Sequence, residues 1–402
     1  MRVKNNSLSR LYSTNYYFAL GIILIFSIVF LSIEVYNGRF WQSDFTVYYK
    51  AAQRILGGQN LFGIIEDGHY IFKYSPFSAV IFIPFTILPI TIAKYIYWFV
   101  YTSIIISGFY LAFNLASRTV TQSTARRSNN IILLGALVLV VHFQRELHLG
   151  QVNQLLLVLY LLVAYYTNKN EPTISGILLA ASIFIKPFGL IFIPYFIVKG
   201  RYKELGYLFL FGIIFFFVPL IFYSFEEFLN QNALWLNELA IELGNKQSLL
   251  LPANHTIFSV IARYSPLSLI SFTPLVVKVY QILILSTIVI MVLLFIKKGR
   301  GVENAEVSEF ALLISIIPLL SFTSQNAFGF VSLVVFILLI NFAKFSKFEK
   351  VLSIIGMVLL GGNYYDIWGS TLSGFFNDIS LVSVGTLLLL FILFRKRFQK
   401  VL

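Results

Sequence analysis

Apolar runs of about 13 to 24 residues recur from Tyr16 to the end of the chain, each closed by a short polar or basic stretch. None alternates with the period of two that a barrel strand requires, and many approach the ~20 residues that a membrane helix needs. The pattern predicts an all-α, polytopic transmembrane helical bundle of about twelve spans. They fall near 17–34, 75–92, 94–114, 131–145, 151–167, 173–198, 205–224, 275–296, 307–320, 328–342, 350–361 and 380–394. Lys186-Pro187 interrupts the 173–198 run, which therefore reads either as one kinked span or as two half-spans forming a hairpin. No internal repeat, linker or low-complexity tract divides the sequence, so a single integral-membrane domain over 1–402 is expected.

Composition agrees with that pattern: 58% of residues are hydrophobic and 12% charged, against roughly 45–50% and about 25% in an ordinary soluble domain. The net charge of +13 does not point to nucleic acid, because the bases cluster in short loops between spans. Arg2/Lys4/Arg10, Lys199/Arg201/Lys203, Lys297/Lys298/Arg300, Lys344/Lys347/Lys350 and Arg395/Lys396/Arg397/Lys400 mark the cytoplasmic side, with both termini inside. The 34–73 and 225–273 segments then face outward. One loop disagrees, since this order leaves Arg118, Arg126 and Arg127 outside. A small-residue cleavage site is missing after the first run, which favours a retained span over a removed signal peptide. Without cysteine there is no thiolate site, and the histidines at 69, 142, 148 and 255 have no paired spacing, so neither a metal nor a cofactor is expected.

The polar residues that interrupt this apolar background are the candidates for chemistry. Loop 34–73 is long for a connection, and within it Phe45, Tyr48, Tyr49, Ala52, Ile55 and Leu56 recur at helical spacing before Gly57-Gly58. The predicted element is a short amphipathic helix with Asp44 at its start and Lys50 and Arg54 four apart on one face. Two readings stay open for these three: a carboxylate and two cations over the mouth of the bundle, or a helix cap with lysine and arginine at lipid headgroups. His142, Gln144, Arg145, Glu146, His148, Gln151 and Asn153 crowd the junction of two spans, and Lys186 sits midway along its run. An ionisable group at such depth costs roughly 2.5–3.5 kcal/mol and is by default a functional candidate, though the junction reads equally as a solvated connecting loop and Lys186 as a snorkelling lysine or a partner for the broken helix. Further polar groups, Gln247, Ser248, Asn254 and His255, lie in the large outer loop, with Gln325 and Asn326 at another outward turn.

Five stretches taken in order resemble glycosyltransferase family 87: SDFTVYYKAAQRILGGQNLF, YIFKYSPFSAVIFIPFTILP, LGQVNQLLLVLYLLVAYY, GILLAASIFIKPFGLIFIPYFIVKGRYK and GNKQSL. That resemblance covers about 41–255. It implies a GT-C-like bundle with juxtamembrane helices in the first outer loop. It also implies inverting transfer of mannose, or a related hexose or pentose, from a polyprenyl-phosphate donor to a glycan or glycolipid acceptor outside a bacterial inner membrane. Asp44 occupies the position of the base. The leaving phosphate would meet Lys50, Arg54, Lys73, Lys186 and His255, and the sugar and acceptor would meet Tyr48, Tyr49, Tyr74, Gln151, Asn153, Gln247, Ser248, Gln325 and Asn326. One departure stands out: where the family suggests a stretch with Pro, Trp and His, residues 321–328 read SFTSQNAF. The rival classes are a secondary transporter, which predicts a second broken helix in the C-terminal half, and a polymerase or ligase acting on lipid-linked glycans.

Overall fold

The computed structural model describes residues 15–68, 71–120, 128–244, 249–269, 273–322 and 325–400, which are helical with no strand among them. Among the described residues, six helices are long and apolar enough to cross a membrane: Phe18–Tyr36, Ile90–Ser117, Asn130–Leu149, Tyr202–Ile221, Pro274–Lys298 and Gln325–Lys344. A seventh crossing arises if Lys347–Gly361 and Tyr365–Asp378, bent by 95°, act as one span. The expected count of about twelve is thus not reached by length and composition. The apolar runs are there, but proline and length divide them differently. Predicted span 75–92 becomes a helix Pro76–Ile81 and a 3₁₀ turn Ile83–Ile87, broken by Pro84 and Pro89. At 1.5–2.0 Å per residue it covers about 20 Å of a ~30 Å hydrocarbon core.

The contacts divide the chain into two compact units, one made of Glu34–Ile105 and Arg145–Ser248, the other of Met1–Ile33, Ile106–Gln144 and Leu249–Leu402. In the first unit the open alternative at Lys186-Pro187 resolves as a hairpin. Helix Pro172–Ile185 ends where Lys186 turns extended at φ −143 and ψ 135, and the 3₁₀ turn Pro187–Ile191 leads into Phe192–Val198. Gly189 lies back against Leu179, Ser182 and Ile183, where a Cβ would meet atoms at 2.8–3.0 Å. Arg201 Nη1 then donates to Asn170 Oδ1 at 2.8 Å, so the chain has returned to the end from which the hairpin started. Breaking the helix orphans the Phe184 carbonyl, and Ser75 and Ser78 hydroxyls donate to it at 2.6 and 2.8 Å. Those two bonds hold the Pro76–Ile81 helix against the hairpin tip.

The second unit is packed on close helix contacts. Helix Lys347–Gly361 packs on Leu381–Phe398, where Gly356 and Gly385 let the backbones meet. Helices Ala305–Leu320 and Ser332–Asn341 are buried along nearly their whole length. His142 places both ring nitrogens on carbonyl oxygens, Gln325 at 2.8 Å and Leu360 at 3.1 Å.

Candidate active site

Helix Ser43–Leu56 starts after Gln42, which sits in the left-handed region at φ 43 and makes no side-chain cap. Asp44 is therefore inside the first turn. The capping reading left open for it is not what the structure adopts: Gln151 Nε2 donates to Asp44 Oδ2 at 2.5 Å. Gly150 makes this approach possible. Its φ is +71, and a Cβ there would stand 2.8 Å from Phe45 Cβ and 3.2 Å from Phe45 N. Only glycine lets the turn between helices Ser128–Leu149 and Asn153–Asn168 lie on the start of the loop helix. Tyr97 fixes the same turn by donating to the Gln151 carbonyl at 3.0 Å, and Phe45 stacks on Tyr97 at 4.2 Å.

Behind Gln151 lies a second carboxylate. Glu146 is fully buried and accepts from Tyr101 Oη at 2.7 Å, Asn153 N at 3.1 Å and Asn153 Nδ2 at 2.7 Å. With its amide group so turned, Asn153 presents Oδ1 to Lys186 Nζ at 2.8 Å. Lys186 projects from the hairpin tip, 5.5 Å from the Tyr74 ring centroid, and feels the charges of Glu146, Asp44 and Lys73. Tyr74 in turn shares a 2.9 Å hydroxyl contact with Tyr48. Asp44, Tyr48, Tyr74, Gln151, Asn153 and Lys186 thus form one constellation, with exposed Lys73 near Lys186. Burial raises the Asp44 carboxyl above its ordinary value, while Lys186 and the Gln151 bond pull it back down.

Other expected site residues go elsewhere. Lys50 and Arg54 follow Asp44 by six and ten positions, which turns them about 120° and 80° away around the helix. Both are held by Asp67, Lys50 at 3.2 Å and Arg54 through two bonds of 2.5 and 2.9 Å. The Arg54 bonds hold the Asp67 carboxyl below its usual range. Tyr49 donates to the Leu88 carbonyl at 2.7 Å and is buried. His255, Gln325 and Asn326 belong to the other unit and are buried there. His255 meets Ser380 and Asn377, both at 3.0 Å, and Gln325 also bonds Asn377. Gln247 and Ser248, like Arg126 and Arg127, lie outside the described residues.

Glu146, Tyr97 and Tyr101 complete the constellation; the sequence singled out Glu146 only as one of the junction's polar candidates, without a role, and did not single out the two tyrosines. Their signals were an acid four residues before a glycine turn, and two tyrosines at i, i+4 on one helix face.

The model of glycosyltransferase family 87 matches residues 72–321, more than half of the chain. The match takes in Lys73, Tyr74, Glu146, Gln151, Asn153 and Lys186, begins after Asp44, and ends where the departing SFTSQNAF stretch starts. No curated protein matches the chain.

Proposed function

The chain belongs to glycosyltransferase family 87 and is a membrane glycosyltransferase, and from that premise we propose that it moves a sugar from a polyprenyl-phosphate donor to an acceptor hydroxyl outside the membrane, with Asp44 as the base. The observation carrying this reading is Asp44 itself. It is a half-buried carboxylate, raised by its surroundings, held by Gln151 on one oxygen and facing the charge of Lys186. An alcohol is a poor nucleophile until a base within hydrogen-bond reach accepts its proton, and a raised carboxylate accepts it more readily. As the acceptor oxygen attacks the anomeric carbon from the face opposite the phosphate, the carbon–oxygen bond to phosphate breaks and polyprenyl phosphate leaves. Inversion follows from that single displacement. Lys186 and Lys73 supply the positive charge that the departing phosphate needs, and Tyr48, Tyr74, Gln151 and Asn153 surround the sugar or the acceptor. Mannose or a related hexose or pentose, with a glycan or glycolipid acceptor of a bacterial cell envelope, fits this chemistry.

Two features support an outward-facing site. Within the first unit, Asp44 and Lys186 stand by the start of helix Asn153–Asn168, whereas Lys169, Lys199, Arg201 and Lys203 gather beyond its other end, about 23 Å away by helix rise. Basic loops favour the cytoplasm, so the opposite end faces out. Moreover, once 75–92 is no longer a crossing, counting along the chain moves Arg118 to the inside, which removes the one loop that broke the bias.

The test is Asp44→Asn in proteoliposomes with a polyprenyl-phosphate sugar. Transfer should fall by ~10²–10⁴ while donor-lipid binding is retained. Turnover near the wild-type rate would remove Asp44 as the base.

A further inference from the structure

The second unit carries a long apolar groove lined by none of the residues of the Asp44 constellation. Helices Ser128–Leu149 and Lys347–Gly361 come together where a Cβ on Gly361 would fall on the Val138 carbonyl, and Tyr364 closes that end by donating to the Leu137 carbonyl at 2.9 Å. From there the gap between the helices runs to Asn130 and Lys350, enclosing about 1180 Å³. Leu339, Ile340, Phe342 and Ala343 form its floor. Its walls face outward, with Leu137 64% and Val358 60% exposed. Lys350 to Gly361 is about 17 Å of helix, close to the ~15 Å that one leaflet occupies in a ~30 Å core.

Charge distinguishes the two ends. Lys350 lines the open end, its ammonium 5.9 Å from the Phe342 ring centroid, and exposed Lys347 stands one turn before it on the same helix, with exposed Lys344 just ahead in the chain. Glu349 is the one carboxylate within 342–350, and it is taken by Arg395 at 3.0 Å and Lys396 at 2.6 Å. Positive charge on Lys350, with Lys347 and Lys344 beside it in the chain, therefore marks one end of a slot whose far end is apolar.

We propose that this groove is a binding site for an anionic phospholipid, one acyl chain lying between the two helices and the phosphate resting on Lys350 and Lys347. Basic pockets between membrane helices hold acidic headgroups in this manner. The closed end after about 17 Å suits an acyl chain of one leaflet, whereas a polyprenyl chain would overrun it. The proposal does not rest on Asp44 or on the reading of the transfer reaction.

Native mass spectrometry on the delipidated full chain, titrated with phosphatidylglycerol or phosphatidylcholine of identical chains, tests the assignment. Phosphatidylglycerol should bind at least about ten-fold more tightly. Lys347→Gln with Lys350→Gln should abolish the preference, Val358→Trp should weaken both lipids by filling the slot, and Lys203→Gln, a surface control in the other unit, should change nothing. Equal binding of the two lipids, or a preference that survives the double lysine substitution, overturns the proposal. So does displacement of phosphatidylglycerol by a polyprenyl phosphate that Val358→Trp blocks, because the groove would then belong to the sugar donor. Unfolding temperature, measured for every variant, separates lost binding from lost fold.

Discussion

Gly150→Ala probes the site geometry with the addition of one methyl group. At φ +71 a non-glycine residue costs about 1–2 kcal/mol in backbone strain. The added Cβ would also stand 2.8 Å from Phe45 Cβ and 3.2 Å from Phe45 N, and neither atom is the end of a flexible side chain. Restoring a carbon contact of ~3.5–4.0 Å requires the turn and the loop helix to part by roughly 1 Å. That parting falls across the 2.5 Å Gln151–Asp44 bond and takes it to the limit at which a hydrogen bond is lost. A misplacement of about 1 Å at a reacting group can cost ~10²-fold in rate. Gly58→Ala is the matched control. Its φ is +62, so the backbone strain is similar, yet its nearest neighbour is the Phe222 carbonyl at an ordinary 3.5 Å. Thermal unfolding in detergent should show both variants destabilised by at least about 1–2 kcal/mol. Sugar transfer in proteoliposomes should fall ~10²-fold in Gly150→Ala alone. Equal loss of transfer in the two variants would refute the claim that this turn positions the base.

Two further outcomes follow from the charges around Asp44. Because burial lifts its carboxyl and the base must be ionised, the acid limb of the rate profile should lie above the pH expected of an exposed aspartate; Lys186→Ala removes a lowering influence and should shift it higher. The same shift bears on stability. A carboxyl raised on folding stabilises fully below the ordinary aspartate value and loses that contribution as pH rises through the raised value. At neutral pH Asp44→Asn should therefore keep or gain thermal stability while losing transfer, and a clear loss of unfolding temperature would make Asp44 a structural residue. For the cations, Lys186→Ala should raise the donor KM, whereas Lys50→Ala and Arg54→Ala, already committed to Asp67, should leave it unchanged. The opposite ranking would move the phosphate site to the outer face of the loop helix.

Much of the fold was legible because apolar runs and prolines are local signals. The loop helix was expected from Phe45 to Gly57-Gly58 and forms over Ser43–Leu56. The family resemblance was legible too, and membership decides for a transferase over the transporter that the span count alone allowed. What sequence could not supply was any quantity fixed by contact between distant segments. Whether Lys186-Pro187 kinks a span or reverses it depends on Ser75 and Ser78 meeting the Phe184 carbonyl. Lys50 and Arg54 were indistinguishable from phosphate ligands until Asp67, thirteen residues beyond Arg54, was seen to hold both. The span 75–92 was apolar enough to count, but Pro84 and Pro89 shorten its helices below membrane thickness.

Asp44 and Glu146, the two carboxylates nearest Gln151 and Asn153, show why this polar cluster reads as a site rather than a structural pair. Both oxygens of Glu146 are engaged: one accepts from Tyr101 and the Asn153 backbone N–H, the other from the Asn153 side chain. A buried carboxylate satisfied in this way is a scaffold, and what it fixes is the orientation of Asn153 and, through it, Lys186. Asp44 is arranged differently. Gln151 occupies Oδ2, and among the described residues no partner takes Oδ1. Burial without full satisfaction is costly for an ionised group, and the fold could have relieved it with one more donor. That it instead leaves one oxygen open, close to a lysine oriented by the other carboxylate, divides the pair into a group that positions and a group that can accept a proton, as environment does elsewhere for paired acids.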